Sequence, residues 1–258
     1  MKKLAQWLLG LFPRAALQRL ANILLPILDL WFRGSRYTDP INGKSYRKFL
    51  PYGYVKVRPN VLSPGTLSLE RHRLIWLYLK RETNFFEMPI NVLHMAPEKA
   101  FLSRLKKSKT LDYTTCDLSS PLADIKADIC ALPFKDQVFD WVLCNHVLEH
   151  IPDDQTAMKE LFRVLKPGGK ALLQVPLDPK RKTTFEDDSI TNKAERTRVF
   201  GQYDHVRIYG LDYFDKLRAV GFEVEELQYA KNLLDEEQKR YGVVANEYIP
   251  VCTRPIQE

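Results

Sequence analysis

The chain has 258 residues, 45% of them hydrophobic and 28% charged. That balance excludes a disordered or fibrous protein, and the length fits one α/β domain with a full core and a small appendage. The net charge of +7 is uneven, because residues 1–60 carry 11 basic and 2 acidic side chains and leave the remainder slightly acidic. A basic N-terminal quarter suits an anionic membrane surface, a nucleic acid or simply a solvated face. The body shows no nucleic-acid footprint, so no nucleic-acid partner is expected.

Cys116, Cys130, Cys144 and Cys252 form no C-x-x-C pair and read as free thiols in a reducing compartment. No apolar run reaches the roughly 18 to 20 residues of a membrane span. Lys2 and Lys3 precede an apolar run only as far as Phe12, a poor secretory leader. The expected location is cytoplasmic, with peripheral contact at the inner face of a membrane through residues 1–32.

Residues 1–36 read as a basic extension of two or three short amphipathic helices. Trp7, Leu8, Leu11, Leu24, Leu28 and Trp31 are interrupted by Pro13 and Pro26. Such helices either lie in a bilayer interface or pack on the body. Residues 37–67 hold turn signals at Asp39-Pro40, Asn42-Gly43 and Pro64-Gly65 and form an irregular or short-hairpin connector. A helix follows from Ser68 to about Lys80, with Leu69, Leu74, Leu77 and Tyr78 at helical spacing.

From Ile90 onward short apolar runs alternate with amphipathic helices. Strands are expected at Ile90 to Met95, Leu111 to Cys116, Ile125 to Ile129, Phe139 to Asn145, Lys170 to Val175, Phe222 to Leu227 and Glu247 to Cys252. Helices are expected at Glu98 to Lys106, Asp154 to Leu165 and Leu211 to Val220. This alternation predicts an α/β fold with a doubly wound, mostly parallel sheet, whose ligands bind beyond the carboxyl ends of the strands where strand order reverses.

The first strand runs into His94, Met95, Ala96, Pro97 and Glu98, and no glycine occurs from Thr66 through Pro167. A G-x-G-x-x-G fingerprint and a P-loop are therefore absent. Glu98 is an anion that either meets a cationic ligand group or compensates a helix N-terminus. Asp117, at the end of the second strand and followed by Leu118, is placed to accept both ribose hydroxyls, or to cap its own turn. Asp128 could accept from an adenine amino group while Ile129 packs on the ring; its alternative is a solvated loop carboxylate.

The segments Ala131-Leu132-Pro133-Phe134, Phe139-Asp140, Asn145-His146-Val147-Leu148-Glu149-His150 and Glu160-Leu161-Phe162-Arg163-Val164-Leu165-Lys166-Pro167-Gly168-Gly169 occur in that order. With them the chain resembles the class I S-adenosylmethionine-dependent methyltransferases of the type 11 group, which includes quinone-biosynthesis enzymes. The resemblance is dense over residues 90–176. It implies a seven-stranded Rossmann-like sheet over residues 68–258, S-adenosyl-L-methionine as cofactor, and methyl transfer to a small-molecule or lipid-like acceptor. It places cofactor contacts at His94, Met95, Ala96, Glu98, Asp117, Leu118, Asp128, Ile129, Asn145 and His146. The family's acidic residue and alternating glycines are replaced by His94, Ala96, Glu98 and Ala100, so Glu98 is expected to pair with the α-amino group of the cofactor.

Residues 46–53 and 68–73 also resemble a subgroup carrying a zinc-ribbon-like insertion. Asp39 to Asn42 and Ser63 to Thr66 stand where its cysteine pairs would be, and no metal is expected. His205, Asp204 and His146 are the candidate catalytic groups, His205 for its titration range. Glu149 and His150, at a helix start, are expected to make structural hydrogen bonds. Two other readings remain beside the enzyme: a cofactor-binding regulator without catalysis, and a peripheral membrane protein acting through its N-terminus.

Overall fold

The computed structural model describes residues 25–53 and 57–256. Residues 25–31 are helical, so most of the expected N-terminal helices lie outside the described residues. Within this stretch Asp29 accepts from the Tyr46 hydroxyl at 2.5 Å and from Lys44 at 2.6 Å. Ile27, Leu30 and Trp31 are 59%, 74% and 69% exposed. The helix end is thus anchored by polar contacts and turns its large apolar side chains outward.

The connector is built of two antiparallel hairpins. One pairs β1 (Arg33–Asp39) with β2 (Lys44–Tyr46), and the other pairs β3 (Leu50–Tyr52) with β4 (Arg58–Leu62). The Pro40 turn of the first hairpin meets the Pro64 turn that follows β4. The buried Asp39 carboxylate accepts from Thr66 Oγ1 at 2.5 Å, Ser68 Oγ at 3.1 Å and the Ile41 amide at 3.0 Å. Arg73, fully buried, donates to the carbonyls of Val61, Ser68, Tyr241 and Gly242 and lies over the Phe49 ring. One guanidinium thereby ties the hairpins, the helix Glu70–Arg81 and the C-terminal third together.

The main sheet contains β5 (Ile90–Met95), β6 (Leu111–Asp117), β7 (Ile125–Lys126), β8 (Phe139–Cys144) and β9 (Leu165–Leu172). After the short pair β10 (Phe185–Glu186) and β11 (Arg207–Ile208), it is completed by β12 (Glu223–Leu227) and β13 (Ile249–Thr253). Strand order is β12-β13-β9-β8-β5-β6-β7, with β13 antiparallel to both neighbours and the other pairs parallel. This is the seven-stranded, mostly parallel Rossmann-like sheet. Alternate residues feed two cores, as the two-residue strand period requires. Leu93, Val142, Cys144 and Ala171 join one, while Val92, Trp141, Leu143 and Leu172 join the other.

Pro167-Gly168-Gly169 does more than stop a helix. The helix Asp154–Val164 ends first, β9 starts at Leu165, and the chain bulges through the glycines before pairing resumes at Lys170. A side chain at Gly169 would sit 2.8 Å from the Lys166 carbonyl oxygen, which no Cβ tolerates. The polar stretch before the 201–210 segment contains β10 and a helix at Lys193–Phe200. Cys116, Cys144 and Cys252 are buried free thiols, and Cys130 is half-buried.

Candidate functional site

Strand order reverses between β5 and β8, and a cleft of about 510 Å³ opens there at the strands' carboxyl ends. That is the size of a small-cofactor site. Its wall includes Met95, Ala96, Asp117, Leu118, Asp128, Ile129, His146 and Asp204. Asp117 Oδ1 accepts from the amides of Ser119 at 2.7 Å and Ser120 at 2.5 Å. Asp128 Oδ1 accepts from the Cys130 amide at 2.9 Å. Each carboxylate spends one oxygen on its own turn, so the capping reading and the ligand reading coexist. Ala96 (φ 47°) and His146 (φ 55°) take left-handed backbone conformations at the mouths of β5 and β8. Such conformations cost a side-chain-bearing residue on the order of 1 kcal/mol and mark sites. Ala96 adopts the conformation in which glycine is at ease.

His94, Glu98 and Asn145 face away from the cleft wall. Leu69 donates its amide to His72 Nδ1 at 3.1 Å, and His72 Nε2 stands 2.8 Å from Glu98 Oε1 without a well-aligned hydrogen bond. Glu98 Oε2 receives Asn145 Nδ2 at 3.1 Å and His94 Nε2 at 3.3 Å. Tyr113 closes the chain by donating to His94 Nδ1 at 2.6 Å. Burial opposes ionisation of Glu98, but His72 and His94 outweigh it and hold the carboxyl well below its usual range. The Glu98 carboxylate thus holds the first loop through Oε2, while Oε1 has His72 Nε2 beside it and no well-aligned hydrogen bond.

On the opposite side of the cleft, the segment 201–210 is sewn to the loop after β8. Arg207, 3% exposed, donates to the carbonyls of Leu148, Ile151 and Pro152 and pairs with Glu186. The Val206 amide donates to the Glu149 carbonyl at 2.9 Å, and Tyr209 donates to Asp154 at 2.6 Å. These bonds bring His205 beside Glu149 and His150. His205 Nε2 stands 4.0 Å from Glu149 Oε1, and the His150 and His205 rings meet edge to face at 4.7 Å. His146 Nδ1 lies 3.3 Å from the same Glu149 oxygen. Glu149 is 1% exposed and neither of its oxygens has a well-aligned hydrogen bond. The expected structural hydrogen bonding of its side chain is therefore not what the loop provides. His150 Nδ1 does bond locally, to the Asp204 carbonyl at 3.2 Å. Burial lowers the His205 pKa despite the nearby carboxylates.

His146 also borders a second cavity of about 330 Å³, lined by Arg58, Glu70, Arg71, Asp178, Glu247 and Tyr248 among others. Arg71 Nε is buried without a hydrogen-bond partner, and burial raises the Glu247 pKa. Sequence reading missed these residues. The one signal was the run Ser68-Leu69-Glu70-Arg71-His72-Arg73, in which polar side chains lie on every face of a helix that proves largely buried.

Residues 82–173 match the Methyltransf_11 family model, a methyltransferase domain. A demethylmenaquinone methyltransferase of Anoxybacillus flavithermus is 42% identical over 48 residues, 19% of this chain and 20% of that protein. A tRNA U34 carboxymethyltransferase of Nautilia profundicola is 25% identical over 158 residues, 61% of this chain and 48% of that protein. The chain thus spans less than half the length of these relatives. Among solved structures, the (4+2)-cyclase SpnF is similar over 93% of this chain and 97% of its own, at 16% identity and a TM-score of 0.51, a likeness of fold. Residues 82–173 thus match a methyltransferase domain model, and they lie in a Rossmann-like sheet with a cleft at its strand reversal.

Proposed function

We propose that the protein is an S-adenosylmethionine-dependent methyltransferase acting on a polar small molecule or the polar end of a lipid-like one. The observation that carries this reading is the pair Asp117 and Asp128 in one cleft at the strand reversal, each with one oxygen left over by its own turn. Asp117 and Leu118 would hold the ribose, Asp128 and Ile129 the adenine, and Met95, Ala96 and His146 the methionine end. His94, Glu98 and Asn145 would act from behind as positioning residues. In the proposed division, residues 68–258 form the catalytic domain, residues 1–36 a basic extension, and residues 37–67 a ribbon-like insertion. The Asp39–Thr66 hydrogen bond in that insertion stands where the subgroup would place its metal.

Methyl transfer from a sulfonium is an in-line displacement. The acceptor's lone pair attacks the methyl carbon, the carbon–sulfur bond breaks, and its electron pair stays on sulfur. The protein's share is to align the acceptor and deal with its proton. The acceptor would occupy the cavity beyond His146, where Arg58 and Arg71 stand beside Glu70, Asp178 and Glu247 and make a polar wall of both signs. His205, Asp204 and His146 would manage the proton on the cleft side. The test is to add pools of polar metabolites to the protein with methyl-labelled S-adenosylmethionine. Label should move to an acceptor as S-adenosylhomocysteine forms, and an unconsumed donor in every pool would count against the enzyme and favour a regulator.

The exposed Ile27, Leu30 and Trp31 beside a basic segment favour peripheral membrane contact as a further property. Sedimentation with phosphatidylglycerol vesicles should carry down the full chain, and much less of an Ile27→Ser, Leu30→Ser, Trp31→Ser variant.

A further inference from the structure

One ligand atom each from Glu149, His150 and His205 lies within 4.8 Å of the other two. A buried carboxylate with no well-aligned donor on either oxygen is costly unless something else meets its charge. The nearest imidazole nitrogens, His146 Nδ1 at 3.3 Å and His205 Nε2 at 4.0 Å from Oε1, make no well-aligned hydrogen bond to it. His150 has its Nδ1 committed to the Asp204 carbonyl, the arrangement that fixes the tautomer of a metal-bound histidine and frees the other nitrogen. The Phe200 backbone likewise hydrogen-bonds His205.

We propose that Glu149, His150 and His205 form a site for one divalent transition cation of the zinc type, at the edge of the cofactor cleft. The donor set decides the class of ion. Two imidazoles and one carboxylate suit Zn²⁺ and its first-row neighbours, whereas Mg²⁺ and Ca²⁺ prefer oxygen alone. Bonds of about 2.0–2.2 Å place ligand atoms roughly 3 to 3.5 Å apart, so the present spacing closes by side-chain adjustments of about an ångström. Three protein ligands leave at least one coordination position open. His150 is shared with the cleft wall, so a bound cation takes His205 as a ligand and leaves the acceptor's proton to His146 and Asp204; this consequence alone rests on the methyltransferase reading. The site runs against the expectation of no metal, which rested on the absent cysteine pairs of the insertion.

The rigid support is already present. Arg207 pins the carbonyls of Leu148, Ile151 and Pro152, and the Val206 amide pins that of Glu149. Both halves of the site are thus held on one frame.

The experiment is calorimetric titration of untagged, chelator-treated full-length protein with ZnCl2, with MgCl2 as comparison and Co²⁺ absorption as a second readout. The expected result is one equivalent of Zn²⁺ bound at micromolar or tighter Kd, little response to Mg²⁺, and a Co²⁺ ligand-field band. His205→Gln and His150→Gln should each weaken Zn²⁺ at least tenfold with unchanged far-ultraviolet circular dichroism. Glu149→Gln is a third variant, and the two histidine variants keep the test valid should it fail to fold. No Zn²⁺ binding by the folded parent, or binding unaltered in both histidine variants, would overturn the site. A parallel titration with S-adenosylhomocysteine separates the claims. Cofactor binding without Zn²⁺ binding overturns the metal site alone, and Zn²⁺ binding without cofactor binding supports the site while contradicting the methyltransferase reading.

Discussion

His72 Nε2 stands 2.8 Å from the Glu98 carboxylate, joining a helix that precedes the sheet to the loop that follows its first strand. The same carboxylate receives Asn145 from the mouth of β8. Three segments, the helix Glu70–Arg81, the loop after β5 and the mouth of β8, are thereby tied to one buried anion. A glycine-rich loop would be shaped by its backbone, and here the shape comes from side chains.

Glu98→Ala removes that anion and strands donors on His72, His94 and Asn145. Removing one partner of a buried charged network typically costs about 3–5 kcal/mol. Urea denaturation should show a loss of that order, and a change below about 1 kcal/mol would mean that the loop is held by something else.

The same network makes stability pH-dependent, with a defined sign. Burial lowers the His72 pKa below the ordinary imidazole value of 6.5. In the window below 6.5 the unfolded imidazole takes up a proton that the folded one refuses, so stability falls as pH drops. Glu98, held below 4.5 chiefly by His72 against the cost of burial, contributes stability that is present above 4.5 and is lost as pH falls through its folded value. Both terms act in the same direction. The melting temperature should decline between pH 7 and pH 5 and more steeply below pH 4.5. The pH 7 to 5 decline should be shallower in His72→Gln, and identical slopes would contradict the assignment.

Arg207→Lys keeps the charge but loses the fork that reaches the carbonyls of Leu148, Ile151 and Pro152. Each hydrogen bond from a charged group contributes roughly 1.5–3 kcal/mol. We expect about 3 kcal/mol of destabilisation, with faster hydrogen exchange at the amide of Val206, whose partner is the Glu149 carbonyl. Unchanged exchange there would show that the two segments hold together without the guanidinium.

The sheet was legible because strands buried on both faces read as apolar runs. Ile90–Met95 is where the sequence places it, and β6 and β8 differ from expectation by one residue each. Asp117 was legible as a strand-end carboxylate, whereas the third strand stops at Lys126, short of the expected Ile129, and leaves Asp128 in the turn that follows. The partners of Glu98 were not, because His72 lies on a helix outside the alternating pattern and nothing local couples the two. Arg73 was hidden for the same reason, its acceptors at Tyr241 and Gly242 being far along the chain. The Glu149 neighbourhood was misread from its place at a helix start, a position that describes the backbone and not where the side chain points. The short strands β10 and β11 carry too few residues to show a period.

The central claim is that this glycine-free loop still forms a cofactor site with Asp117 on the ribose. Titration calorimetry with S-adenosylhomocysteine tests it most directly, on the parent and on Asp117→Asn, which keeps an oxygen for the amides of Ser119 and Ser120. The account predicts micromolar binding by the parent and a loss of about 1.5–3 kcal/mol in the variant, the usual contribution of a hydrogen bond to a charged group. Absence of binding by the folded parent, or equal affinity in the two proteins, would contradict it.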